Sequence, residues 1–145
     1  MEYIINNHKL KMKMKNLFIE SLSPNKFDDT VDKLSEIILK AGWNISVLLD
    51  LQASLSKSGI DVLPVKVIEI CNPKLASQIL KQSNTRIYSS MLPCKISIYM
   101  KEDGKTYLSI LNTGILASQI GGNVEKIMIE AFSLVESFIQ KVIIK

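Results

Sequence analysis

Arginine, histidine and cysteine are scarce in this chain of 145 residues: Arg86, His8 and the pair Cys71 and Cys94 are all there are. Each shortage removes a class of chemistry. Two cysteines and one histidine cannot complete the usual four-ligand Cys/His zinc site within one chain, so no metal is expected. The cysteines lie far apart in sequence and form no CxxC pair. With a single arginine among 18 cationic residues, the guanidinium fork that favours bidentate base or phosphate recognition is nearly missing. Aromatics make up 6% of the chain and do not interleave with a basic stripe, the usual footprint of single-strand binding. No apolar run approaches the ~20 residues of a membrane-spanning helix. Lys9, Lys11, Lys13 and Lys15 interrupt any secretory apolar segment near the start. Gly121-Gly122 is not followed by Lys-Ser/Thr, and neither GxGxxG nor GxSxG occurs. The expectation is a cytoplasmic protein with no specific nucleic-acid partner, no membrane partner and no cofactor. That compartment also disfavours a disulfide.

What is present is the composition of an ordinary folded protein, 47% apolar and 22% charged. The length fits one domain with a core of its own. The net charge of +4 is modest, and leaving out residues 1–13 leaves 15 cations against 13 anions. A solvated, lysine-rich surface accounts for it.

Residues 1–14 read as a flexible tail, and His8, set in it, has no rigid surroundings in which to act. Residues 15–145 read as the domain. Lys15 to Leu22 predicts a first strand, closed by the turn cluster Ser23-Pro24-Asn25-Lys26. From Asp28 to Ala41 the apolar spacing becomes helical, with Asp28, Asp29 and Asp32 near the positive end of the dipole and Gly42 as the stop. Trp43 to Asp50 alternates as a half-buried strand, Trp43, Ile45, Val47 and Leu49 sharing one face. Leu51 to Ser58 offers a short helical turn. Val65 to Cys71, apolar on both faces, predicts a central strand covered on both sides. Asn72-Pro73 opens a helix to about Lys81. Residues 82–92 lack a period and read as a loop. Cys94 to Lys101 and Tyr107 to Leu111 flank Asp103-Gly104, a hairpin whose turn needs positive φ. Thr113 to Gln119 reads as a connector, and Asn123 as the cap of a long final helix. The predicted order is β-α-β-β-α-β-β-α, with a short helical turn after the second strand. It makes a two-layer α+β fold, its mostly antiparallel sheet of about five strands carrying helices mainly on one face.

The segments FDDTVDKLSEIILKAGWNI, LLDLQASLSKSGIDVLPVKVIEICNPKLASQIL and LPCKISIYMKEDGKTYLSILN resemble, in order and spacing, the DUF302 domain. A helix leads to a Gly-aromatic step; "D-L-Q" follows a strand, "N-P-K" starts a helix and "L-P-C" starts a hairpin. The likeness spans roughly residues 17 to 138. It implies a small α+β domain that forms homodimers, and no settled activity.

Four residues are candidates for chemistry. Cys94, at a strand start, would serve as nucleophile or redox centre only with a lowered pKa. Lys95 points to the opposite strand face and His8 lies in the tail, so no activating partner is visible and a buried thiol accounts for Cys94 better. Asp50 would act as a base or ligand contact, but equally caps the short helix after it. Asn72 and Lys74 place polar groups at a helix start suited to an anion, where an ordinary N-cap suffices. The leading expectation is a homodimeric module that binds or senses a small ligand. The alternatives are a thiol-dependent enzyme or redox protein using Cys94, and a structural or protein-interaction domain.

Overall fold

The computed structural model describes residues 17–92 and 94–144. The expected tail at residues 1–14, His8 within it, and Pro93 of the "L-P-C" step lie outside the described residues. Five strands form one sheet: β1 (Phe18–Leu22), β2 (Asn44–Asp50), β3 (Val65–Cys71), β4 (Cys94–Met100) and β5 (Thr106–Leu111). The spatial order is β1-β5-β4-β3-β2, and every neighbouring pair is antiparallel. The helices are α1 (Phe27–Lys40), α2 (Leu51–Ser56), α3 (Pro73–Leu80), α4 (Thr113–Ala117) and α5 (Gly122–Ile143). The α+β expectation holds, with a sheet antiparallel throughout.

One sheet face carries the core. Ile68 and Ile70 of β3, Ile96 and Ile98 of β4, and Leu108 and Ile110 of β5 are buried. They meet Val31, Leu34 and Ile38 of α1 and Met128, Val135 and Phe138 of α5 in one apolar cluster. Each fully buried aliphatic side chain contributes about 1.5–3 kcal/mol relative to exposure. Helix α1 ends as its sequence demands. The Trp43 amide donates to the Ile38 carbonyl at 3.3 Å and the Gly42 amide to Leu39 at 3.0 Å, with Gly42 at φ +84°. This paired C-terminal closure delivers Trp43 into the core, edge-on to Phe138 at 5.4 Å.

The structure corrects the sequence expectations in several places. A bulge at Ser46 breaks the alternation of β2. Ile45 pairs with Ile70 on the helix side, whereas Val47 and Leu49 pair with Glu69 and Val67 and face the other way. Strand β3 is covered on one face only: Ile68 and Ile70 are buried, Val65 and Val67 half-buried. Residues Ser83–Met91 form a 3-10 helix and Thr113–Ala117 a short α-helix, where a loop and a connector were expected. Asn123 does not cap α5, because the helix already starts at Gly122 with Gly121 at the cap position. In the hairpin, only Gly104 takes positive φ, +76°. The Gly104 amide donates to Lys101 at 3.0 Å and the Lys101 amide to Lys105 at 3.2 Å, so the hairpin loop has three residues and a bulge, with the expected positive φ at Gly104.

Replacing Ile96 by Ala is expected to lower the unfolding free energy by about 2–5 kcal/mol in urea titration. Ile87→Ala, at a side chain 75% exposed, is expected to stay within about 0.5 kcal/mol of the parent.

Candidate functional site

Because the helices cover one sheet face, the side chains of the other form a readable lattice. Crossing the sheet from β1 to β2, one row runs Phe18, Leu111, Lys95, Glu69, Val47. The next runs Glu20, Ser109, Ser97, Val67, Leu49, and the third begins Leu22, Tyr107, Tyr99, Val65. The middle row is low, because Ser97 and Ser109 stand directly opposite each other between bulkier neighbours.

At the Phe18 end the sheet opens. Strand β4 stays paired with β3 as far as Ile70–Cys94, and β5 stays paired with β1 as far as Phe18–Leu111. The β4–β5 ladder, however, stops at Ile96–Ile110. The two central strands part, leaving a slot of about 330 Å³ that leads from the open face toward the helix layer. At its mouth are Lys95, Ser97, Ser109 and Phe18; deeper are Cys94 and Thr113, with Phe132 and Val135 of α5 and Met91 of the 3-10 helix. This size lies at the lower end of small-molecule sites. Two larger hollows, about 770 Å³ beside the start of α1 and about 650 Å³ beside Pro64, are shallow and open to solvent.

The third row is tied to the second through Glu20 of β1. Tyr99 donates to Glu20, Lys101 Nζ donates to the same carboxylate at 2.8 Å, and Lys101 lies 4.2 Å above the Tyr107 ring. Tyr107 donates to Asp103 at 2.5 Å. The Lys101 and Tyr99 bonds hold the Glu20 carboxyl below its ordinary value. Burial, then the Glu20 bond, pushes the Tyr99 phenol up to about 12. Tyr99 is therefore a hydrogen-bond donor at neutral pH, not a base.

The four sequence candidates do not gather in the slot. Asp50 sits at the far end of β2, opposite Lys66, and its Oδ1 accepts from the Ala53 amide at 2.9 Å. Gln52 donates to the Val62 carbonyl at 3.0 Å, so "D-L-Q" caps α2 and pins the loop after it. Asn72 Oδ1 accepts from the Lys74 and Leu75 amides at 3.1 and 3.2 Å, capping α3 with Pro73 in its first turn. Lys74 contributes its backbone amide to that cap. Asn72 and Cys94 do share a second hollow, against Trp43 and Met128, but at about 20 Å³ it has room for little more than a water molecule. Cys94 alone of the four also lines the slot. Burial, then its neighbour Cys71, pushes its thiol up to about 11, which is the wrong direction for a nucleophile. Both cysteines are free. Among the described residues, no group of three or more His, Cys, Asp or Glu side chains is placed to hold a metal ion, and no helix is long and apolar enough to cross a membrane.

Apart from Cys94, the slot residues were missed in the sequence. Ser97 and Ser109 were detectable in principle, as facing small residues once the hairpin register is set. The parting of β4 from β5 has no local signature.

The family model for "Domain of unknown function DUF302" matches residues 19–143. The chain belongs to the DUF302 family. A solved DUF302 structure, the uncharacterized conserved protein DUF302 from Bacillus stearothermophilus, superposes with a TM-score of 0.78 at 18% identity, covering 87% of this chain and 98% of that one. At that identity the likeness concerns the fold. A search of curated proteins gives no significant match. The DUF302 motifs thus coincide here with a helix stop, two helix caps and a hairpin start.

Asp50→Ala and Asn72→Ala are each expected to cost about 1 kcal/mol of stability through the lost cap, measured by urea unfolding, whereas Asn123→Ala should cost much less. Cys94 in the folded chain should resist iodoacetamide at pH 7.5 and react fully in denaturant. Its folded pKa is raised, so the stabilising effect of burying the neutral thiol is complete below its ordinary value of 9.0 and is lost as pH rises toward about 11. A Cys94→Ala variant should show a shallower loss of stability across that window.

Proposed function

We propose that this DUF302 chain is a homodimeric module that binds a small ligand in the slot between β4 and β5. The parting of the two central strands carries this reading. It makes a recess with apolar depth and hydroxyl groups at the rim, the make-up of a small-molecule site. The titration behaviour of Cys94 and Tyr99 favours binding over thiol or base chemistry. A dimer is supported by the open sheet face, where Phe18 is 65% exposed and Leu49 40%, with Leu22 and Val47 beside them. Exposed apolar side chains at both edges of one face would gain from burial against a partner. A second copy laid there would roof the slot. The free cysteines suit a reducing, cytoplasmic setting.

Screening small acids, alcohols and amines by thermal shift should find stabilising compounds for the parent and none for Ser97→Trp, whose indole fills the slot. A parent unaffected by every compound would count against the ligand role. In sedimentation analysis the parent should run as two chains and Leu49→Glu as one; a monomeric parent would remove the dimer.

A further inference from the structure

We propose that the slot selects an amphiphile with an anionic head, in its simplest form a monocarboxylate, held at the mouth by Lys95 with its apolar body directed inward toward Phe132 and Val135. This assignment rests on the ligand-binding role proposed above and names the chemistry of the ligand. Its basis is the distribution of charge around the slot. Among the described residues no Asp or Glu lines it, and the one charged residue that does is Lys95. The order across the sheet is Leu111, slot, Lys95, Glu69, so the nearest carboxylate on that row stands on the far side of the lysine. The Glu69–Lys95 pair is loose at 3.7 Å, and the Lys95 side chain is 62% exposed. By contrast Lys101, which does not line the slot, is held by Glu20 at 2.8 Å. An ammonium has three donors, so Lys95 retains donors for a head group arriving from the slot side. Ser97 and Ser109 supply hydroxyls beside it. Farther in, the walls offer side chains such as Phe132, Val135 and Met91, which favour a hydrocarbon body over a second polar group. A cationic head would meet like charge at the mouth, and a diacid would bury a charge among those apolar walls.

The test uses three probes with one tail and different heads: octanoate, octanol and octylamine, titrated into the full chain by calorimetry at moderate salt. Octanoate is expected to bind roughly tenfold more tightly than octanol, the increment of one charge-assisted hydrogen bond, and octylamine more weakly than either. Lys95→Gln should bring octanoate down to the octanol affinity and leave octanol unchanged, and Lys95→Glu should reverse the order in favour of octylamine. Equal affinities of the parent for octanoate and octanol, or octanoate binding indifferent to Lys95→Gln, would overturn the anionic assignment while leaving the ligand role intact. If none of the three binds the parent, or if Ser97→Trp binds them as the parent does, both the assignment and the slot's ligand role fall.

Discussion

Burial of a single sheet face is the constraint from which the rest of the molecule follows. Helices α1 and α5 between them cover the isoleucine-rich side of β3, β4 and β5, whereas the opposite rows carry exposed side chains such as Phe18, Leu22, Val47 and Leu49. Those rows must therefore remain compatible with water or be covered by something else. The chain meets this with mixed chemistry: the Glu20, Tyr99 and Lys101 cluster at one level, a pair of serines at the next, and apolar side chains toward the edges. A chain with a second helix layer would have needed valine or isoleucine at Ser97 and Ser109, and no recess would form there.

The slot is a competition between neighbours. Antiparallel strands gain from every ladder pair they complete, and at the Phe18 end β4 is still paired with β3 and β5 with β1 where their own ladder has already stopped. The sheet twist then carries their ends apart. Helix α5 and the 3-10 helix close the back of the gap, so the recess is walled by elements distant in sequence.

Much of the fold was legible because local and global preferences agree. The stripe of α1, the Gly42 stop, the Asn72-Pro73 start and the alternation of β4 each point to the element that forms. Where the sequence misled, a local rule was overridden by something outside its window. Alternation alone put Ile45 with Val47, and the extra residue at Ser46 separates them. Apolar residues on both sides of β3 resembled a doubly covered strand, whereas Val65 and Val67 belong to the open lattice. Of the candidate site, Cys94 was visible as a residue type but its surroundings were not. Asp50, Asn72 and Lys74 stood out because capping and catalysis draw on the same polar side chains. Phe132 and Val135 were indistinguishable in sequence from the rest of the α5 stripe.

The bulge at Ser46 bears on more than register. Strand β2 is an outer strand of the sheet, and an unblemished outer strand is a template onto which further chains can add without limit. An extra residue there bends the strand and interrupts the regular spacing of its outward amides and carbonyls. The molecule is thereby discouraged from filament growth at that edge.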